Sequence, residues 1–193
     1  MSILRVMKNI LKGSISTCSM ILLFTLLSSQ VASAQPSQEY QIKAVFLFNF
    51  TQFIEWPASS LPDETTPLVI GILGKDPFGS YLDETVRNEK IKNHPLIVKR
   101  FKAVDEITTC HILYINIAEK NQLKSIFEGL KAKNVLTVGD FANFAKQGGM
   151  IRFYTEENKT RIRINLSAVK GTDLIISSKL LRLADIVEHQ NNN

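Results

Sequence analysis

The residues in this chain that could do chemistry are few and scattered. The stretch VLTVGDFANFAKQGGMIRFY (135–154) sets Asp140 behind a glycine and closes on the pair Gly148–Gly149, the outline of a catalytic or phosphate-binding loop. A nucleophile to complete it is not apparent. There is no G-x-S-x-G elbow, and Ser178–Lys179 are adjacent rather than at S-x-x-K spacing. Asp140 and Asp173 could form a carboxylate pair, but nothing in the pattern ties them together. His94, His111 and His189 share no metal-ligand spacing with a cysteine or carboxylate, so no metal or other cofactor is expected. The loop GKDPFG (74–79) follows an apolar run, where open α/β sheets often bind ligands. It is neither G-x-G-x-x-G nor a P-loop, and Asp76 would repel a phosphate. A ligand held by Lys75, Asp76 and Phe78 is the second reading of that loop; a turn followed by a helix cap is the first.

A cationic stripe points to binding rather than reaction. In TRIRINL, Ile162, Ile164 and Leu166 alternate with Arg161, Arg163 and Asn165, giving one apolar and one basic face. Arg152 and Tyr154 alternate likewise on the preceding run. Arginine and tyrosine are frequent interface anchors, so this face is a candidate dock for an acidic protein patch. Lys179 and Arg182 on the last helix are expected to extend it. A plain solvated sheet surface is the competing reading.

The elements that position these residues begin after residue 34. Arg5, Lys8 and Lys12, then MILLFTLL, then Ala32–Ser33–Ala34 have the order of a signal peptide cleaved before Gln35. The exported chain would then not be membrane-embedded. Without the three basic residues of that leader the net charge falls from +5 to +2, which gives no reason to propose nucleic acid. Cys110 is the only cysteine past the leader, so no intramolecular disulfide is expected, and it reads as a small buried hydrophobe.

Residues 38–54 have helical length and are apolar nearly all round, with Tyr40, Ala44, Leu47 and Ile54 on one stripe. Burial is one reading; a partner or self-contact through Phe46 and Phe50 is the other. Pro57 is expected to end that helix. LVIGIL, HPLIVKRF, HILYINI and NVLTVG read as strands, with Asp76–Pro77 opening a helix after the first and AEKNQLKSIFEGLKAK forming an amphipathic helix. Asp140 is expected to cap a two-turn helix that Gly148 and Gly149 stop. MIRFYT and TRIRINL form a hairpin, and LIISSKLLRLADIV a short strand and a helix. The sum is an α/β chain: one compact domain over 35–187, a mixed sheet of about six strands with about five helices, ending in a β-hairpin and a C-terminal helix. Residues 188–193 are expected to be a polar disordered tail.

Four pieces in order, IKAVFLFNFTQFIEWP, IGILGKDPFG, VLTVGDFANFAKQGGMIRF with RIRINL, and LIISSKLLRLADIV, resemble the YfiR-like family of exported bacterial proteins. The likeness spans about residues 39–187. It implies a periplasmic, non-enzymatic α/β protein, often a homodimer, that represses an inner-membrane diguanylate cyclase by binding its periplasmic domain. Cyclic di-GMP and biofilm formation then fall. An OmpA-like outer-membrane lipoprotein relieves that repression in members of known role. Some members carry paired cysteines; this chain, with Cys110 alone past its leader, departs from that pattern.

Overall fold

The structure, a computed structural model, describes residues 35–130 and 133–188. The leader assigned to residues 1–34 and all of the expected tail except Glu188 lie outside the described residues. Those described belong to one compact unit, Gln35–Asn193.

The apolar runs form the middle of a mixed sheet. Strands β2 (Leu68–Gly74), β4 (His94–Phe101), β5 (Ile112–Asn116) and β6 (Leu136–Gly139) are parallel, with β2 between β4 and β5. Every residue of β2 but the last is buried, as expected of a central parallel strand covered on both faces. β7 (Ile151–Glu156) continues the parallel run beside β6, and β8 (Lys159–Asn165) returns antiparallel to it. The hairpin turn is tighter than the expected EENK. Glu157 and Asn158 both take positive φ, 49° and 58°, as a two-residue type I′ connection requires.

Six strands of four or more residues thus make the body of the sheet. Two short ones widen it to eight, in the order β10-β8-β7-β6-β5-β2-β4-β3. β3 (Lys90–Ile91) pairs back onto β4 through Lys92 and Asn93, again both at positive φ. β10 (Asp185–Val187) lies parallel to β8.

Period-2 alternation divides the core. Ile112 and Tyr114 face one cluster with Leu47 and Phe50 of helix α1 (Gln38–Phe53) and Leu82 of α2 (Ser80–Val86). Leu113 and Ile115 face the other with Leu123, Ile126 and Leu130 of α3 (Leu123–Leu130). A short α4 (Leu166–Lys170) follows β8, and α5 (Ser178–Leu181) sends Leu180 into the α1 side.

Several boundaries differ from expectation. α1 stops at Phe53, before Pro57, because Ile54 and Glu55 become strand β1 and pair with β9 (Ile175–Ile176). α2 starts at Ser80, since Asp76 Oδ1 accepts the amides of Phe78 and Gly79 in a turn ahead of it. The expected C-terminal helix is a single turn, capped by Ser177, before the chain extends into β10. The expected helix after Asp140 is only a 3₁₀ turn over Ala145–Gln147.

Candidate functional site

The hairpin register brings the basic residues together. Arg152 stands opposite Arg163 and Tyr154 opposite Arg161, while Ile151, Phe153, Ile162 and Ile164 turn into the core. Directly opposed like charges destabilise a sheet, so each arginine must find compensation. Arg163 has it: Nε donates to Asp185 Oδ2 of β10 at 2.8 Å, and its guanidinium lies 4.9 Å from the Tyr154 ring centre. Arg161 Nε lies 3.7 Å from Glu156. Arg152 is different. It rests 5.7 Å from the Tyr154 ring, and its Nε is shut off from solvent without a hydrogen-bond partner among the described residues. Burial, then the neighbouring Arg163, push its pKa below the usual arginine value. A guanidinium left so is short of one acceptor.

Lys179 and Arg182 do not extend this face. Both are exposed, but among the described residues no bond or ring contact links either to the hairpin. The turn of α5 that carries Lys179 packs Leu180 on the α1 side of the sheet, away from the arginines.

Asp140 lies at the carboxyl end of β6 and does not act as the expected cap. Its Oδ2 accepts Lys43 Nζ and Tyr114 OH, each at 2.7 Å, and Tyr40 OH at 3.4 Å. Lys43 also meets Glu39, one turn earlier on α1, at 2.6 Å. Burial raises the Asp140 carboxyl, but the Lys43 ammonium and the Tyr114 hydroxyl outweigh it and hold it below the usual carboxylate range. Lys43 is held protonated: its desolvation is overcome by Asp140 and Glu39. Tyr114 is pushed up, by burial and then by Asp140. None of these groups is a free base or nucleophile; together they pin α1 to the sheet. Asp173 is held elsewhere, by Asn134, so the two aspartates do not pair. This anchor leaves one mark in the sequence beyond those used above, a lone lysine inside a greasy helix, which requires a buried carboxylate partner.

The other candidates are occupied structurally. Asp76 Oδ2 accepts Arg100 Nε at 2.9 Å, and Phe78 is fully buried, 4.8 Å from the Tyr114 ring. Of the GKDPFG triad only Lys75 remains exposed. His111 accepts the Val69 amide at Nδ1 and bonds the Ser60 carbonyl through Nε2, which makes it the neutral Nε2–H tautomer; burial lowers its pKa. His94 Nδ1 bonds the Thr66 carbonyl, and His189 lies outside the described residues. Burial pushes the Cys110 thiol up to about 12. Among the described residues no group of three or more His, Cys, Asp or Glu side chains could hold a metal ion.

Phe50 cannot serve self-association. It has no exposed surface and stacks on Phe153 at 5.9 Å; half-buried Phe46 leans on the same ring at 5.7 Å. Ile42 and Val45, each 41 % exposed, are the large apolar side chains that α1 turns outward. Gly148, at φ 105°, ends the 3₁₀ turn, and a Cβ on Gly149 would collide with the Phe144 ring.

Among the described residues no helix is long and apolar enough to cross a membrane. No curated protein matches the chain. The family profile described as YfiR/HmsC-like matches residues 40–185, from Tyr40 at the Asp140 anchor to Asp185 at Arg163.

Proposed function

The chain belongs to the YfiR/HmsC-like family, and on that premise we propose that it is a periplasmic, non-enzymatic regulator of cyclic di-GMP signalling that acts by binding another protein. The proposed partner is the periplasmic domain of an inner-membrane diguanylate cyclase, which it represses. An OmpA-like outer-membrane lipoprotein would draw it away. Residues 1–34 are the signal peptide that delivers it, and Ile42 and Val45 would provide any contact between two copies in a homodimer.

The observation that supports a dock on the hairpin is the unsatisfied guanidinium of Arg152 beside Arg163 and Tyr154. A carboxylate from a partner would set a negative charge beside two opposed cations, and an outward turn of the Arg152 side chain would give its Nε the acceptor it lacks. Charge-assisted, bidentate contacts to arginine are among the strong ones, and anchors of this type are worth about 2 kcal/mol or more. Repression then follows from a population shift. Moving a cyclase from one part to ninety-nine parts inactive, across its full range, needs a preference of about 5.5 kcal/mol for the inactive state. Two or three such anchors reach that scale when they are made with the inactive state alone.

A photocrosslinking residue in place of Tyr154, tested in intact envelopes, examines this reading. A crosslink to a membrane protein bearing a cyclase domain is the expected product. Crosslinks to a cyclase only from the opposite, α1 side of the sheet would move the dock. Capture of no cyclase from either side would overturn the partner class.

A further inference from the structure

On the α3 side of the sheet a cavity of about 630 Å³ opens between α3, the start of β6, the 145–148 turn and α4. That is the size range of small-molecule sites. It lies at the amino-terminal edge of the parallel strands, away from the GKDPFG loop.

The lining divides into two chemistries. Leu130, Val135 and Met150 are buried and, with Phe127, give an apolar floor. Two buried polar groups are set in it. Asn165 is spent on the Ala145 carbonyl and the Ala168 amide. Thr137, 3 % exposed, accepts the Met150 amide at 3.0 Å, and its own hydroxyl proton has no acceptor among the described residues. The exposed rim carries Lys124 and Lys146, neither of which has an ion-pair partner among the described residues. Among the described residues Glu128 is the only carboxylate in the lining, and it makes no ion pair with Lys124. An adjoining hollow shares Lys124 and Gln147 and adds Lys120, so the rim gains a further positive charge.

We propose that this cavity binds a small amphipathic monocarboxylate, with its apolar body on the Phe127–Leu130–Val135–Met150 floor and its carboxylate at Lys124 and Lys146. Burial of a short hydrocarbon body against that floor supplies the driving force. The lysines at the rim select a negative head. A cationic ligand would meet two lysines against one glutamate, and a neutral alcohol would leave the rim unanswered. This site is independent of the hairpin dock and stands or falls separately from it.

The test titrates octanoate, 1-octanol and octylamine, all below their aggregation limits, into the purified protein. Amide NMR shifts and calorimetry are followed together. Saturable octanoate binding is expected, with the largest shifts at Thr137, Gly148 and Asn165. Octanol should bind at least tenfold more weakly, and octylamine more weakly still. The double variant Lys124→Gln/Lys146→Gln, changed only at exposed positions, should weaken octanoate about tenfold while keeping its wild-type spectrum. No saturable octanoate binding overturns the proposal. So do equal affinity for octanol, tighter binding of octylamine, or shifts clustered elsewhere.

Discussion

Arg152 and Arg163 are direct cross-strand partners, yet among the described residues only Arg163 of the two forms an ion pair, with Asp185. A buried donor without an acceptor and an opposed like charge both cost stability, and proteins often tolerate such costs at sites where binding relieves them.

Arg152→Met removes the unsatisfied Nε and the like-charge contact while keeping the aliphatic length. Thermal unfolding should give a Tm equal to or above wild type, with about 1 kcal/mol gained. A fall of several degrees would make Arg152 a structural residue and remove the main support for the dock.

Asp140→Asn should uncouple α1 from the sheet. The carboxyl titrates lower in the folded chain than in the unfolded one, so its stabilisation is fully present above the unfolded value of about 3.9 and is lost as pH falls through the folded value. Breaking one partner of a buried pair typically costs about 3–5 kcal/mol; with Glu39 still on Lys43, about 2–3 kcal/mol is expected. Urea midpoints at pH 7 measure the cost. The acid dependence below about pH 4 should flatten in the variant.

His111 contributes in a different window. Burial holds its ring neutral, so the unfolded chain binds the extra proton first. Stability is complete above about pH 6.5 and declines as pH drops below it. His111→Gln, which keeps one donor and one acceptor, should lower the plateau yet remove most of the fall in urea midpoint between pH 7 and pH 5. An unchanged slope would assign that fall to other groups.

The Phe144 ring fills the space that a side chain on Gly149 would need. Gly149→Ala should cost about 1–3 kcal/mol, the usual range for overpacking. Phe144→Leu vacates part of the ring volume, so the double variant should lose less than the sum of the singles. Additivity within about 0.5 kcal/mol would place the two residues out of contact.

Much of the sheet was legible because its strands are short apolar runs between turn residues. HPLIVKRF is β4 residue for residue, and the Ile162/Arg163 alternation already gave the two faces of β8. Two kinds of feature were hidden. The Lys43–Asp140 bond joins residues 97 apart, and a lysine in an apolar helix calls for an acidic partner without saying which one. The segments after Asp140 and after Ser178 read as helices, but tertiary contacts override that pattern. Phe144 must fold back against Gly139 and Gly149, which leaves room for only a 3₁₀ turn. Arg163 and the β8 backbone draw Asp185 into a strand, cutting the last helix to one turn. The missing partner of Arg152 was invisible for the same reason, since a sequence shows a cation but not whether it is answered.

The most direct measurement is intracellular cyclic di-GMP in the source bacterium with the gene deleted, then complemented at matched protein levels. Deletion should raise the nucleotide, wild type should restore it, and Arg152→Glu should leave it high while the protein remains folded and exported. Full restoration by Arg152→Glu, or no rise on deletion, would contradict regulation through this face of the hairpin.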